Sequence, residues 1–419
     1  CKAIPEYLQK EFANVNVELI AVKDFKMSRI HHAFIIFTHF LIWNPTTRRY
    51  FRYGKQYINK SRFISFCLVM AVRIFSSIRF IKPLVRWVEK IFFLEKNELV
   101  ENYFDKYGPD LVFATSAISK MDVIFMKAAK RRGIPTVGMP KSWDNLTRMY
   151  LRFPPDYFLV QNEYLKDRLI KWQNIPQEKI YVIGFPQFDW YSRPEIIRSR
   201  EEHFKKIGLK PDLPLIFFGS QGVWYDKDYT IAEQIYKWII NDELAKPCQM
   251  LVRPHFNNVK NNPFQRFKGQ PGIVYDESYH ISDVFVDNWD PLAPEIIDFV
   301  NNLYHSDVVI IVLSTLALDA ACLDRPIINT FFGAKYRKNE DITPKMVFTE
   351  HYSWILESRG TSLARSFEEL KNFINQYLIN PSAKSRERAI LREKVCYKVD
   401  GKSSERMVNA IEDILQKFN

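Results

Sequence analysis

The sequence predicts an α/β protein built from two Rossmann-like domains that face each other across a cleft. Three observations carry this. The chain has 419 residues, enough for two full hydrophobic cores. Short apolar runs alternate with amphipathic stretches at the spacing of strand–helix–strand units, which implies parallel sheets covered on both faces. That alternation breaks once, at the polar, proline-marked stretch Pro186 to Pro214, and then restarts. An apolar fraction of 47% with 26% charged residues belongs to a globular chain.

The elements follow in order. Ile4 to Phe12 reads as a helix and Val15 to Val22 as a strand. Because an α/β domain usually begins with a strand, an initial strand is expected ahead of Cys1. No signal peptide is legible. Asp110 to Ala114 is a buried strand, Asp122 to Arg132 a helix, and Thr136 to Met139 the next strand. Tyr157 to Val160, Tyr164 to Trp172 and Lys179 to Ile183 complete a strand–helix–strand unit. The second series has strands at Leu215 to Phe218, Met250 to Val252, Gly272 to Tyr275, Val308 to Val312 and Pro326 to Ile328. Its helices are Tyr229 to Ile240, Pro294 to Tyr304, Leu316 to Leu323 and Phe367 to Leu378, and Ser404 to Phe418 closes the chain. The expected organisation is an acceptor-side domain over 1–195, a nucleotide-donor domain over 196–395 and a final helical segment over 396–419.

Charge is unevenly placed. The net charge is +12, and Phe25 to Lys90 holds 13 Lys or Arg against one acid, Glu89, together with 14 aromatics. Its apolar runs, Ala33 to Trp43 and Phe63 to Val72, are too short for a span of about 20 residues. Residues 25–95 are therefore read as a basic, aromatic helical insertion that lies against an anionic membrane surface. A solvated basic face over an ordinary helical core is the other reading. No nucleic-acid motif accompanies the charge, so nucleic acid is not expected as a partner. The five cysteines (Cys1, Cys67, Cys248, Cys322, Cys396) show neither metal spacing nor a disulfide framework, and a reducing compartment is expected.

The segment Ser306 to Pro326 carries the strongest chemical signal. A buried strand ends at Leu313, and Ser314 and Thr315 open a helix. Two hydroxyls with free backbone N–H groups suit a phosphate. Asp319, one turn on, is placed to accept from a ribose; an ordinary N-cap and a solvated aspartate would also fit. Gly219-Ser-Gln-Gly222 follows the first strand of the second series, where glycines let the backbone approach a phosphate or plain turn geometry demands them; Ser220 and Gln221 are the donor candidates.

Ser306 to Pro326, with Leu251-Val-Arg-Pro-His-Phe256 upstream, resembles the donor domain of bacterial GT-B transferases, nearest the CDP-glycerol glycerophosphotransferase-like and capsule-polysaccharide transferases. Tyr181 to Asp189 is similar to the hinge of that group, His351 to Leu370 to its late stretch and Tyr397 to Arg406 to its C-terminal aspartate-glycine-lysine element. The resemblance covers roughly residues 105–419. It implies a GT-B fold without cofactor or metal. Arg253 would fork onto phosphate oxygens, and His255 would donate to the diphosphate or protonate the leaving group; a structural ion pair with a loop histidine is the other reading. Phe256 stands where the family has a proline.

On the acceptor side, Lys141-Ser-Trp-Asp-Asn-Leu-Thr147 follows a strand where glycerophosphotransferases carry a histidine-glycine element. Trp143 is read as a flat face for a sugar, Asp144 as the general base, and Asn145 and Thr147 as orienting groups, with His351 a further acceptor contact. An Asx turn explains Asp144 and Asn145 equally well. Asp226-Lys-Asp228 imitates a metal-binding pair but sits in a polar loop, so no metal is assigned.

The expected function is a glycosyltransferase that moves a sugar from a nucleotide-activated donor to a lipid-linked or glycan acceptor of the cell surface, peripheral on the inner face of the membrane. The alternatives are a CDP-glycerol-type glycerophosphotransferase, a nucleotide-sugar 2-epimerase of the same fold, and a non-catalytic membrane adaptor.

Overall fold

The computed structural model describes residues 8, 11–18, 20, 28–39, 41–48, 62–78, 80–94, 96–143, 145–222, 227–255, 262–276, 292–330, 332, 335–336, 340–341 and 349–418. The helix expected over Ile4 to Phe12 lies largely outside them; of the strand expected over Val15 to Val22, residues 15–18 and 20 are described and are not strand.

In chain order the described helices α1 (Arg29–Thr38), α2 (Arg62–Ser77), α3 (Ile81–Phe92) and α4 (Glu98–Tyr107) precede the first sheet. Then come β1 (Val112–Ala114), α5 (Lys120–Arg131), β2 (Thr136–Gly138), β3 (Tyr157–Val160), α6 (Glu163–Gln173) and β4 (Ile180–Val182). The second series runs α7 (Arg200–Ile207), β5 (Leu215–Gly219), α8 (Asp228–Ile240), β6 (Gln249–Arg253), β7 (Ile273–Tyr275), α9 (Ala293–Tyr304), β8 (Val308–Ile311), α10 (Leu316–Cys322) and β9 (Ile327–Thr330). A two-stranded hairpin, β10 (Lys335–Tyr336) and β11 (Glu340–Asp341), leads to α11 (Glu350–Glu357), β12 (Ser362–Ala364), α12 (Phe367–Ile379), α13 (Ser385–Leu391) and α14 (Ser403–Gln416).

Two compact units result: 20–186 with 348–351 and 402–419, and 1–19 with 187–347 and 352–401. The division falls at Pro186 rather than at residue 195, because residues 187–199 bond into the second unit. Tyr191 donates to Asp319, and Arg198 pairs with Asp298 and donates its backbone N–H to Asn301. The C-terminal helix is not a separate segment either. Ala410 and Ile414 of α14 pack with Val137, Leu159 and Ile183 against the first sheet. Gly184, at φ +92, allows this return, since a Cβ there would stand 2.6 Å from the Ser403 hydroxyl.

The first unit holds a parallel four-stranded sheet in the order β1-β2-β3-β4. Local signals explain its helices. Asn162 caps α6 by accepting from the Leu165 N–H, and Asn174 ends it in the left-handed conformation at φ 50. The second unit holds a parallel six-stranded sheet in the order β12-β9-β8-β5-β6-β7. Every residue of β5 and β8 is buried, as strands covered on both faces must be. The charged run Arg198 to Lys206, inside the polar stretch Pro186 to Pro214 where no element was expected, is helix α7, fixed by a Ser199/Glu202 capping box and stopped by Gly208 at φ 78.

Candidate functional site

The connectivity of the second sheet defines a place for a ligand. From central β5 the chain steps outward to β6 and β7, then returns to the other side of β5 as β8 and continues to β9. The direction reverses between β5 and β8, and in open parallel sheets ligands bind outside the carboxyl ends of the strands at such a switch point. Three neighbouring strand ends meet at this edge: Gly219 to Gly222 after β5, Arg253 to His255 after β6, and Val312 to Thr315 after β8. Six of the seven residues expected on the donor side (Ser220, Gln221, Arg253, His255, Ser314 and Thr315) stand on these three segments.

The β5 loop is built around a carboxylate. Asp228, at the start of α8, is buried and accepts from the Ser220 hydroxyl at 2.8 Å and the Gln221 N–H at 2.7 Å. The Ser220 oxygen in turn accepts from the Gly222 N–H at 3.1 Å. Burial pushes the Asp228 carboxyl up to about 7. Asp228 is thus committed to shaping the loop, and the other half of the metal-like pair, Asp226, lies outside the described residues. Among the described residues no three His, Cys, Asp or Glu side chains gather as a metal would need.

The two glycines of the loop differ. A Cβ on Gly219 would lie 2.5 Å from the Leu316 Cδ2 of α10, the tip of a side chain that can shift. Gly222 has φ +73, and a Cβ there would lie 2.7 Å from His255 Cβ. The β5 loop and His255 are therefore in contact. Burial lowers the His255 pKa, so at neutral pH the ring is a neutral hydrogen-bonding group rather than a cation.

Arg253 is anchored before any ligand arrives. The register Val252↔Tyr275 sets Arg253 beside Asp276 at the next strand end, and the guanidinium donates to the buried Asp276 carboxylate. It also lies over the Phe299 ring, 4.7 Å from its centroid. Asn302 adds a further donor to Asp276 at 3.3 Å. Sequence reasoning missed Asp276, whose place beside Arg253 is visible only once the strands are in register.

After β8, Leu313 takes the left-handed conformation at φ 45, a strained choice for a side chain of its size. The chain turns there into Ser314 and Thr315. Ser314 Oγ accepts from the Leu316 N–H at 3.3 Å, while Thr315 is exposed and its side chain makes no cap bond to α10. Asp319, expected as a ribose acceptor, already has a side-chain partner: its Oδ1 accepts from the Tyr191 hydroxyl at 2.6 Å, and burial raises the carboxyl to about 6, with the Tyr191 bond and the Arg253 charge opposing the rise.

The acceptor-side residues belong to the first unit and depart further from expectation. Asp144 lies outside the described residues. Trp143 does not offer a flat face: it is 3% exposed and meets the His351 ring edge-on, centroids 5.2 Å apart. Asn145 opens a single 3-10 turn, and its side-chain oxygen accepts from the Ser142 N–H, three residues back, at 2.8 Å. Thr147 is fully buried, and its carbonyl accepts from Asn44. His351 is half-buried against Trp143.

Residues 136–413 match the family model described as CDP-glycerol:poly(glycerophosphate) glycerophosphotransferase. No curated protein matches the chain in sequence. In three dimensions the chain is similar to the UDP-GlcNAc 2-epimerase from Neisseria meningitidis bound to UDP-GlcNAc, at 12% identity over 84% of this chain and 89% of that one, TM-score 0.50. It is similar to S. aureus MnaA in its UDP co-structure, at 16% identity over 76% of this chain and 79% of that one, TM-score 0.50. The wall teichoic acid polymerase TagF matches at 13% identity over 81% of this chain and 98% of that one, TM-score 0.44. The fold of the two parallel-sheet units is GT-B.

Proposed function

Because the chain belongs to the CDP-glycerol:poly(glycerophosphate) glycerophosphotransferase family, and is therefore a transferase, we propose that it moves a nucleotide-activated group to a hydroxyl of a cell-surface glycopolymer. The observation that carries this reading is the convergence of the Ser220–Gly222 loop, Arg253–His255 and Ser314–Thr315 at the switch point between β5 and β8. Backbone N–H groups, two hydroxyls, a guanidinium and a neutral imidazole suit a nucleoside diphosphate, on which charge grows as the bond to the donor breaks. In this reading Ser314 and Thr315 hold the diphosphate, Arg253 supplies charge from its Asp276 anchor, and His255 donates a hydrogen bond to the leaving oxygen. Asp144 deprotonates the acceptor hydroxyl, and no metal takes part.

The transferred group is read as a sugar, since Lys141 to Thr147 lacks the histidine-glycine element of glycerophosphotransferases. A second reading, glycerophosphate from CDP-glycerol, is favoured by the family match itself. In both, the acceptor is a lipid-linked or glycan chain at the inner face of the membrane, and nucleic acid is not a partner. Calorimetry with CDP, UDP, GDP and CMP, followed by transfer assays with CDP-glycerol and with sugars on the preferred nucleotide, separates them. Binding of a nucleoside diphosphate with turnover of its sugar supports the first reading, and turnover of CDP-glycerol alone the second. Failure to bind any nucleotide overturns both.

A further inference from the structure

Helix α3 is inside out. Val85 and Glu89, one turn apart, are its buried residues, and Glu89 is 1% exposed. Its carboxylate accepts from the buried Lys127 ammonium at 2.5 Å and bonds His31 Nε2 at 2.9 Å. Val85 and Ile81 pack inward, but the other large apolar residues face the other way. Phe80, at the helix N-cap, and then Leu84, Trp87 and Ile91 recur at intervals of four, three and four, one stripe of a helix, and are 66%, 46%, 53% and 53% exposed. Phe92, also exposed, meets the Trp87 ring at 6.1 Å. A surface helix in water buries its apolar stripe and leaves its acids outside. Here the burial of a carboxylate, tolerable only through its pairing, accompanies an uncovered apolar stripe.

The neighbouring helices repeat the pattern. α1, which touches α3 through the His31–Glu89 bond, exposes Ile30 and Phe37, seven residues apart. α2 exposes Ile74. Exposed apolar groups spread over three helices exceed the scattered single residues normal for a surface.

Charge selects the occupant. Between Ser28 and Phe93 the only acidic residue is Glu89, which is the one taken inside, while Arg29, Arg73 and Lys90 are exposed. A second copy docking through this surface would set like charges together. An anionic bilayer supplies both an apolar layer for the stripe and negative headgroups for the cations. Trp87 suits the boundary between them. Among the described residues no helix is long and apolar enough to cross a membrane, so α3 would lie in the plane of the interface.

We infer that the Phe80–Leu84–Trp87–Ile91 stripe of α3 inserts into the headgroup boundary of an anionic lipid bilayer. This rests on the membrane-associated acceptor proposed above, but its test needs neither donor nor acceptor. The whole protein is mixed with vesicles of phosphatidylcholine alone, or with added phosphatidylglycerol, and binding is read by flotation and by quenching of tryptophan with brominated acyl chains. The wild type should float with the anionic vesicles and be quenched. Leu84→Glu/Ile91→Glu should weaken binding at least about tenfold. Trp87→Phe should keep binding and lose most of the quenching. Nucleotide affinity of both variants, measured by calorimetry, should stay at the wild-type value; this shows that they fold and keeps the donor reading separate. The inference is overturned if the wild type ignores anionic vesicles, if the double variant binds them as well as the wild type, or if sedimentation shows that the stripe instead joins two copies.

Discussion

The carboxyl edges of the two parallel sheets make opposite use of similar residues. At the six-stranded sheet the loops after β5, β6 and β8 bring Ser220, Gln221, Arg253, His255, Ser314 and Thr315 to one edge, with Thr315 exposed and Ser314 half-buried. At the four-stranded sheet the loop after β2 turns its conspicuous residues inward: Trp143 packs on His351, and Thr147 is fully buried. A tryptophan and a threonine after a strand therefore do not by themselves mark a ligand surface. A loop does so when its polar groups are held by buried partners, as Asp228 holds Ser220 and Asp276 holds Arg253.

The largest effects should come from removing those held or buried groups. Arg253→Ala would take the guanidinium away from the buried Asp276 carboxylate and should cost about 3–5 kcal/mol in a denaturant melt. Its donor affinity must be read below the unfolding transition. Trp143→Ala should cost a similar amount, about 3–5 kcal/mol, because it empties a packed site. If Trp143→Ala instead kept its stability and lost only acceptor turnover, the contrast between the two edges would fail. Gly222→Ala combines a left-handed φ with a clash against His255; it should cost about 1–3 kcal/mol and weaken nucleotide binding with it, checked by melts and calorimetry on one sample.

Acidity offers a gentler test. Asp228 titrates near 7 when folded, against an ordinary value of 3.8. Between those values the folded protein holds a proton that the unfolded chain has released, so this group's contribution to stability falls as pH rises through the window. Asp228→Asn should flatten that fall. Melts of wild type and variant at pH 5 and pH 7.5 check it, and parallel curves would mean that Asp228 is already ionised at the lower pH.

Much of this fold was legible in the sequence, and the reasons are local. Leu215 to Phe218 and Val308 to Val312 are unbroken apolar runs, and Gly219 and Ser314 punctuate them where the strands end. Helix α7 carried its own signal, Ser199 with Glu202, but it sits within a polar, proline-marked stretch that shows no apolar periodicity. The three-residue edge strand β12 was too short to stand out. What stayed hidden depends on partners distant in the chain. His351 covers Trp143, Tyr191 occupies Asp319, and Lys127 draws Glu89 inward. Periodicity places a residue on a face but does not say which face is covered.

The claim that matters most is that the edge between β5 and β8 holds the nucleotide. Ser314→Ala/Thr315→Val tests it directly, because among the described residues the one bond seen from the two hydroxyls is the 3.3 Å contact of Ser314 with the Leu316 N–H. Two neutral hydrogen bonds at about 0.5–1.5 kcal/mol each predict a loss of about five- to a hundredfold in nucleoside diphosphate affinity by calorimetry, with a thermal midpoint within a few degrees of wild type. Wild-type affinity in that double variant would contradict the account and send the search for the nucleotide to another part of the chain.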